Sequence, residues 1–162
     1  MKHLTDLQLK EVNQRRRDPT DPVGRLMNAA HFLETEHRRV RRLKADHQGV
    51  STAEFNLILL LVEHGELTPK KLASELGLTP GAMTAMLDRL EIGGFVKRQP
   101  NPKDRRSLLV NVTESTSQNS MRFYVQYFNA INAAVAKHPG LGTEDFAANM
   151  AILTKTVRSV HP

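Results

Sequence analysis

In the stretch LTPKKLASELGLTPGAMTAMLDRL, residues 67–90, the pair Thr-Pro occurs twice, at 68–69 and 79–80, with Gly77 between them. A threonine hydroxyl can accept from the unpaired N–H groups of a helix start, and proline is pre-set for the first helical position, where no N–H is needed. Each pair therefore reads as the beginning of a helix, and the glycine as the end of the first. Only Gly77, Leu78 and Thr79 separate the two, so the helices must fold sharply against each other as a helix-turn-helix. The second helix is expected to reach about Ile92. Met83, Met86, Leu87 and Leu90 form its buried stripe, while Gly81, Ala82, Thr84 and Ala85 face outward. Gly93-Gly94 then permits a left-handed exit.

Upstream, Ser51 followed by Glu54 is a capping box, and it opens a helix over Phe55–Glu63 that is apolar almost all round and must sit centrally. Before it, apolar residues at helical spacing from Gly24 to Asp46 give a long amphipathic helix. Its last turns carry Arg38, Arg39, Arg41, Arg42 and Lys44, which are either a solvated face favoured by the helix dipole or phosphate contacts. Residues 1–20, with Arg15-Arg16-Arg17 and prolines 19 and 22, read as a loosely held arm with at most one short helix. After Thr113 two apolar stripes share one helix: Met121, Tyr124, Val125, Phe128, Ile131 and Val135 on one side, Phe123, Tyr127, Ala130 and Ala134 on another. A last helix follows the Pro139-Gly140 break, from about Glu144 to Val157. One neighbour cannot cover so much apolar surface, so the terminal helices are expected to pack against a second copy of the chain.

Between these parts lies VKRQPNPKDRRSLLVNV, residues 96–112, which alternates like two strands around a tip rich in proline and cations. Prolines 100 and 102 stiffen the tip, so its side chains are held out at low entropic cost. The chain has 23 Lys plus Arg against 17 Asp plus Glu, a net charge of +6 that favours a polyanionic partner. The excess is local: Lys97, Arg98, Lys103, Arg105 and Arg106 are opposed there only by Asp104. Absence of cysteine excludes disulfides, thiolate zinc sites and thiol redox sensing. No apolar run is long enough for a membrane span and no signal peptide is legible, so a cytoplasmic protein is expected.

A helix-turn-helix beside a stiff cationic hairpin is a winged unit: the second helix enters the major groove by its N-terminal end, with Thr79 and the free N–H groups there suited to a phosphate. A wing arginine can enter the narrow minor groove of A·T-rich DNA. Asp104 is expected on the protein side, holding an arginine of the cluster in one rotamer. The segment from STAEF to VNVTE, residues 51–114, with LTPKKLASELGLTPGAMTAMLDRLE, Gly94, PNPKDRR and VNVT, resembles the MarR family of bacterial transcriptional regulators. The resemblance implies a mainly α fold with a small β-hairpin wing. It also implies a dimer with interlocking terminal helices and a ligand pocket where the dimer and DNA-binding regions meet. Asp104 and Arg106 match the family's Asp-x-Arg wing motif, which makes Arg106 the minor-groove residue. Many members are repressors released from DNA by a small, often aromatic, anion. This sequence departs from the family in the bland outward face of Gly81, Ala82, Thr84 and Ala85. Bidentate base contacts are unavailable from those positions, so DNA shape is expected to carry much of the specificity. Ser115 also stands where the family often has a glycine.

The expected organisation is one compact domain: an arm and dimerisation helix over 1–50, the winged helix-turn-helix over 51–112 and dimerisation helices over 113–162. The expected DNA-contacting residues are Thr79, Gly81, Ala82, Thr84, Ala85, Lys97, Arg98, Lys103, Asp104, Arg105 and Arg106. His37, in the apolar stripe of the long helix, is either a hydrogen-bonded core histidine or part of a ligand pocket. Histidines 31, 47 and 64 lack metal-ligand spacing, and neither a cofactor nor a catalytic constellation emerges, so no enzyme is expected. The expected function is a homodimeric regulator on a palindromic operator, released by a small aromatic or anionic effector. The alternative is an architectural DNA-binding protein without an effector.

Overall fold

The computed structural model describes residues 5–104 and 106–159. Seven α-helices and one hairpin follow in order: α1 (Asp6–Arg17), α2 (Pro22–Gln48), α3 (Thr52–His64), α4 (Pro69–Leu76), α5 (Pro80–Ile92), β1 (Val96–Pro100), β2 (Leu108–Val112), α6 (Glu114–Lys137) and α7 (Glu144–Arg158), with a 3-10 turn at Pro139–Gly142 before α7. This is a mainly α protein with a two-stranded wing. Among the described residues, no helix is long and apolar enough to cross a membrane.

The caps fall where the sequence places them. Thr68 and Thr79 accept from the amides of Lys71 and Ala82 at the starts of α4 and α5, each followed by proline. Gly77 closes α4 with φ +64°, a left-handed conformation that side chains with a Cβ adopt only under strain. Ser51 and Glu54 form the reciprocal capping box of α3. Beneath these helices lies one core: Leu57, Ile58 and Leu61 of α3, Leu72 of α4, Met83, Met86, Leu87 and Leu90 of α5, and Val96 and Val110 of the hairpin. β1 and β2 are antiparallel, Val96 opposite Val112 and Pro100 opposite Leu108. Leu67, just before α4, exchanges both backbone hydrogen bonds with Val110 (3.1 and 2.8 Å), which joins the base of the wing to the entrance of the helix-turn-helix.

The N-terminal arm differs from expectation. It is not loosely held: α1 is a capped helix folded back on the start of α2. Arg15 Nε lies 2.8 Å from Asp21 Oδ2, and Asn28 Nδ2 donates to the Arg16 carbonyl at 2.8 Å. Gly24 permits the close approach, since a Cβ there would stand 2.1 Å from the Arg15 oxygen. Asp21 is both the N-cap of α2 and the ion partner of α1, and that pairing holds its carboxyl below the usual range. α2 begins earlier than its apolar stripe shows because Asp21-Pro22 provides a cap and a first-turn proline.

Outside the winged unit the helices are barely covered. α1 and α7 contain no buried residue, α2 buries only Gly24 and Ala45, and α6 only Thr116 and Ser120. Leu26, Met27, Phe32 and Leu33 on α2, Val125, Phe128 and Ile131 on α6 and Ile152 on α7 are exposed.

Candidate nucleic-acid interface

α5 presents its N-terminal turn outward. Thr79, Gly81, Ala82, Thr84 and Ala85 are all exposed, above the buried Met83, Met86 and Leu87. The Thr79 hydroxyl already accepts from the Ala82 amide (3.3 Å), and the Thr84 hydroxyl donates back to the Pro80 carbonyl (3.0 Å). The face is shallow, built from small groups and one hydroxyl whose lone pairs point outward for a donor.

The wing tip is braced by hydrogen bonds as well as by its prolines. Asn101 binds Ser107 twice: its amide donates to the Ser107 carbonyl (3.1 Å) and its side-chain nitrogen to the hydroxyl (2.8 Å). Asn101 Oδ1 accepts from the Lys103 amide (3.0 Å), and Asp104 Oδ1 from the Arg106 amide (3.0 Å), two side-chain turns in succession. The expected role of Asp104 needs correction: its carboxylate holds the backbone of Arg106 and not an arginine side chain. A carboxylate two residues before the amide it accepts closes a local ring, which this tight turn supplies at no cost in side-chain reach. Lys97, Lys103 and Arg106 are exposed on the wing; Arg105 lies outside the described residues.

Arg98 also departs from expectation. Its guanidinium turns inward to α5, with Nη2 2.6 Å from Asp88 Oδ1 and 3.5 Å from the Thr84 carbonyl, and Nη1 3.3 Å from Glu91 Oε2. Its side chain is 22% exposed. Strand alternation sends Lys97 and Arg98 to opposite faces, and the face of Arg98 meets two carboxylates one helical turn apart.

The basic end of α2 is engaged within the chain. Arg38 pairs with Glu34 and Arg39 with Glu36, while Arg41 bonds Asn56 of α3 and Lys44 bonds Gln126 of α6. His37 is half-buried and hydrogen-bonded to the Tyr127 hydroxyl. That bond closes one side of a cavity of about 110 Å³ lined by His37, Val40, Arg41, Leu59, Phe123, Tyr124 and Tyr127, at the junction of α2, α3 and α6. Burial pushes the Tyr124 hydroxyl pKa up, so it remains a donor at neutral pH. Phe123 also borders a more polar cavity of about 330 Å³ that includes Lys44, His47, Arg122 and Phe95. Sequence reasoning missed both walls of aromatic residues because Tyr127 is 90 positions from His37; the second stripe of α6, with Phe123 and Tyr127, was the available signal.

Residues 50–108 match the model of the MarR family. The multiple antibiotic resistance protein MarR of Escherichia coli (strain K12) is 34% identical over 92 residues, 57% of this chain and 62% of that protein. The organic hydroperoxide resistance transcriptional regulator of Bacillus subtilis (strain 168) is 38% identical over 69 residues, 43% of this chain and 47% of that protein. The matched segment thus spans about half the length of these curated relatives, which are transcription regulators and not enzymes. Among solved structures, E. coli MarR complexed with operator DNA is 26% identical, covers 86% of this chain and 98% of its own, and superposes with a TM-score of 0.57. The shared helix-turn-helix and wing, together with these likenesses, make the chain a member of the MarR family.

Proposed function

We propose that the chain is a homodimeric transcriptional regulator that binds a palindromic DNA operator through α5 and the wing, represses, and lets go when a small effector binds. The observation that carries this reading is the joint exposure of the α5 N-terminal face and of Lys97, Lys103 and Arg106 on a braced wing. A small-residue helix face can enter a major groove closely, touching thymine methyls through Ala82 and Ala85, while a wing cation follows the adjacent minor groove. Support for the dimer comes from the uncovered apolar faces of α2, α6 and α7. Support for an effector comes from the junction cavities: an aromatic ring suits the first, an anion the second. The first is smaller than the ~150 Å³ known to admit benzene, so a guest must open the His37–Tyr127 bond and press on α3, which carries the winged unit.

The test is a salt series on an operator selected from genomic fragments. Lys97, Lys103 and Arg106 from two subunits give a slope of about −5 in log K against log salt, roughly a thousandfold loss between 50 and 200 mM. Arg106→Ala lowers that slope by about 2 per dimer and flattens the preference for A·T-rich flanks. A wild-type affinity indifferent to salt overturns the proposal. The sparse base-reading capacity of α5 equally fits an architectural protein without an effector, and footprints spread evenly over unrelated DNA would favour that reading.

A further inference from the structure

Arg98 stands where a DNA contact is expected and is spent on the protein's own recognition helix. We infer that Arg98 is a positioning residue: it fixes the wing to α5, so that the spacing between the two DNA-facing parts is set before a duplex is met. The inference rests on the reading that α5 and the wing grip one duplex together.

Three features of the site support it. First, Arg98 is held at both ends, since its backbone amide donates to Glu91 Oε1 (3.1 Å) while its guanidinium reaches Asp88 and Glu91. An arginine fork across two carboxylates restrains direction as well as distance, which a lysine cannot do. Second, its Nη2 approaches the carbonyl of Thr84, one of the residues on the outward face of α5. The clamp therefore acts within the turn that meets the bases. Third, the neighbouring strand residue anchors the opposite face of the wing: Gln99 donates to Glu66, which lies within 3.4 Å of Asn111 Nδ2 on β2. With Arg98 pulling toward α5 and Gln99 toward the loop before α4, the hairpin cannot swing either way. Arg98 also neutralises two carboxylates on α5 that would otherwise face a polyanion unpaired.

The test compares wild type with Arg98→Gln, Arg98→Lys and Asp88→Asn on the selected operator, reading the salt slope and the preference for A·T over G·C pairs under the wing. A clamp predicts that Arg98→Gln keeps the wild-type slope, because no phosphate contact is lost, while its flank preference falls about tenfold although Arg106 is intact. Asp88→Asn should reproduce the loss from the other partner, the double variant should lose no more than either single one, and Arg98→Lys should recover only part. A slope reduced by about 2 per dimer in Arg98→Gln makes Arg98 a phosphate contact and overturns the inference. Retained flank preference overturns it as well. Should wild type bind no duplex in a salt-dependent way, the DNA reading itself falls, and the clamp is then judged by amide exchange over residues 96–112. Exchange about tenfold faster in Arg98→Gln than in Lys97→Gln upholds it, and equal rates sink it.

Discussion

Replacing Glu54 by glutamine tests how the capping box of α3 is wired to α5. The Glu54 side chain is 11% exposed and accepts from the Ser51 amide (2.9 Å), the Ser51 hydroxyl (2.8 Å) and Arg89 Nε (2.9 Å). Burial by itself raises the pKa of this carboxyl; the Ser51 hydrogen bonds and the Arg89 pair outweigh burial and leave it lowered from 4.5. A depressed folded-state pKa means stability that is fully present above the unfolded value and is lost as pH falls through the folded one. Glutamine keeps an acceptor for Ser51 but no charge, which weakens that bond from the charged toward the neutral range, a loss of ~1 kcal/mol. Arg89 is 61% exposed, so its pair with Glu54 adds at most ~1 kcal/mol. The expected destabilisation at neutral pH is therefore about 1–2 kcal/mol for Glu54→Gln, and about 2–4 kcal/mol for Glu54→Ala, which also abolishes the cap. Urea unfolding followed by helical circular dichroism should show the wild-type midpoint ahead by roughly 0.5–1 M at pH 7.5. That lead should shrink as pH is stepped from 5 to 3. A lead that stays constant to pH 3, or that is absent at pH 7.5, refutes the reasoning.

Gly24→Ala would ordinarily stabilise a helix interior by up to ~1 kcal/mol. Here the added Cβ meets the Arg15 carbonyl, so the sign should reverse, with a cost of about 1–2 kcal/mol and faster amide exchange confined to α1; unchanged exchange would show that α1 docks elsewhere. Phe128→Asp places a charge at the centre of the exposed α6 face, and sedimentation at micromolar concentration should shift from dimer to monomer. An unchanged dimer mass would remove that face from the interface.

Much of the winged unit was legible because its instructions are local. Thr68-Pro69, Gly77 and Thr79-Pro80 act within one turn of themselves, so caps and turn could be placed residue by residue. The buried stripe of α5 followed from spacing alone. What escaped the sequence depends on partners that spacing does not reveal. Arg98 looks like any other cation of its cluster until the hairpin folds over Asp88 and Glu91. Asp104 was assigned to an arginine because charge suggests it, whereas the turn offered a nearer amide. α1 was read as loose because nothing in residues 1–20 announces that Gly24, across a proline turn, is the cleft it fits. The apolar faces of α2, α6 and α7 were plain in the sequence, since unsatisfied hydrophobic periodicity needs no structure to be noticed.

The backbone exchange between Leu67 and Val110 has a consequence for signalling. It stitches the finger to the threshold of the reading module, leaving no joint between them that a messenger could work. A molecule lodged among α2, α3 and α6 can alter the grip on a duplex only by rotating each module whole, like a jaw turned on its handle. The stretch to watch is thus the neck formed by Gln48, Gly49 and Val50, where Gly49 at φ +71° closes the handle.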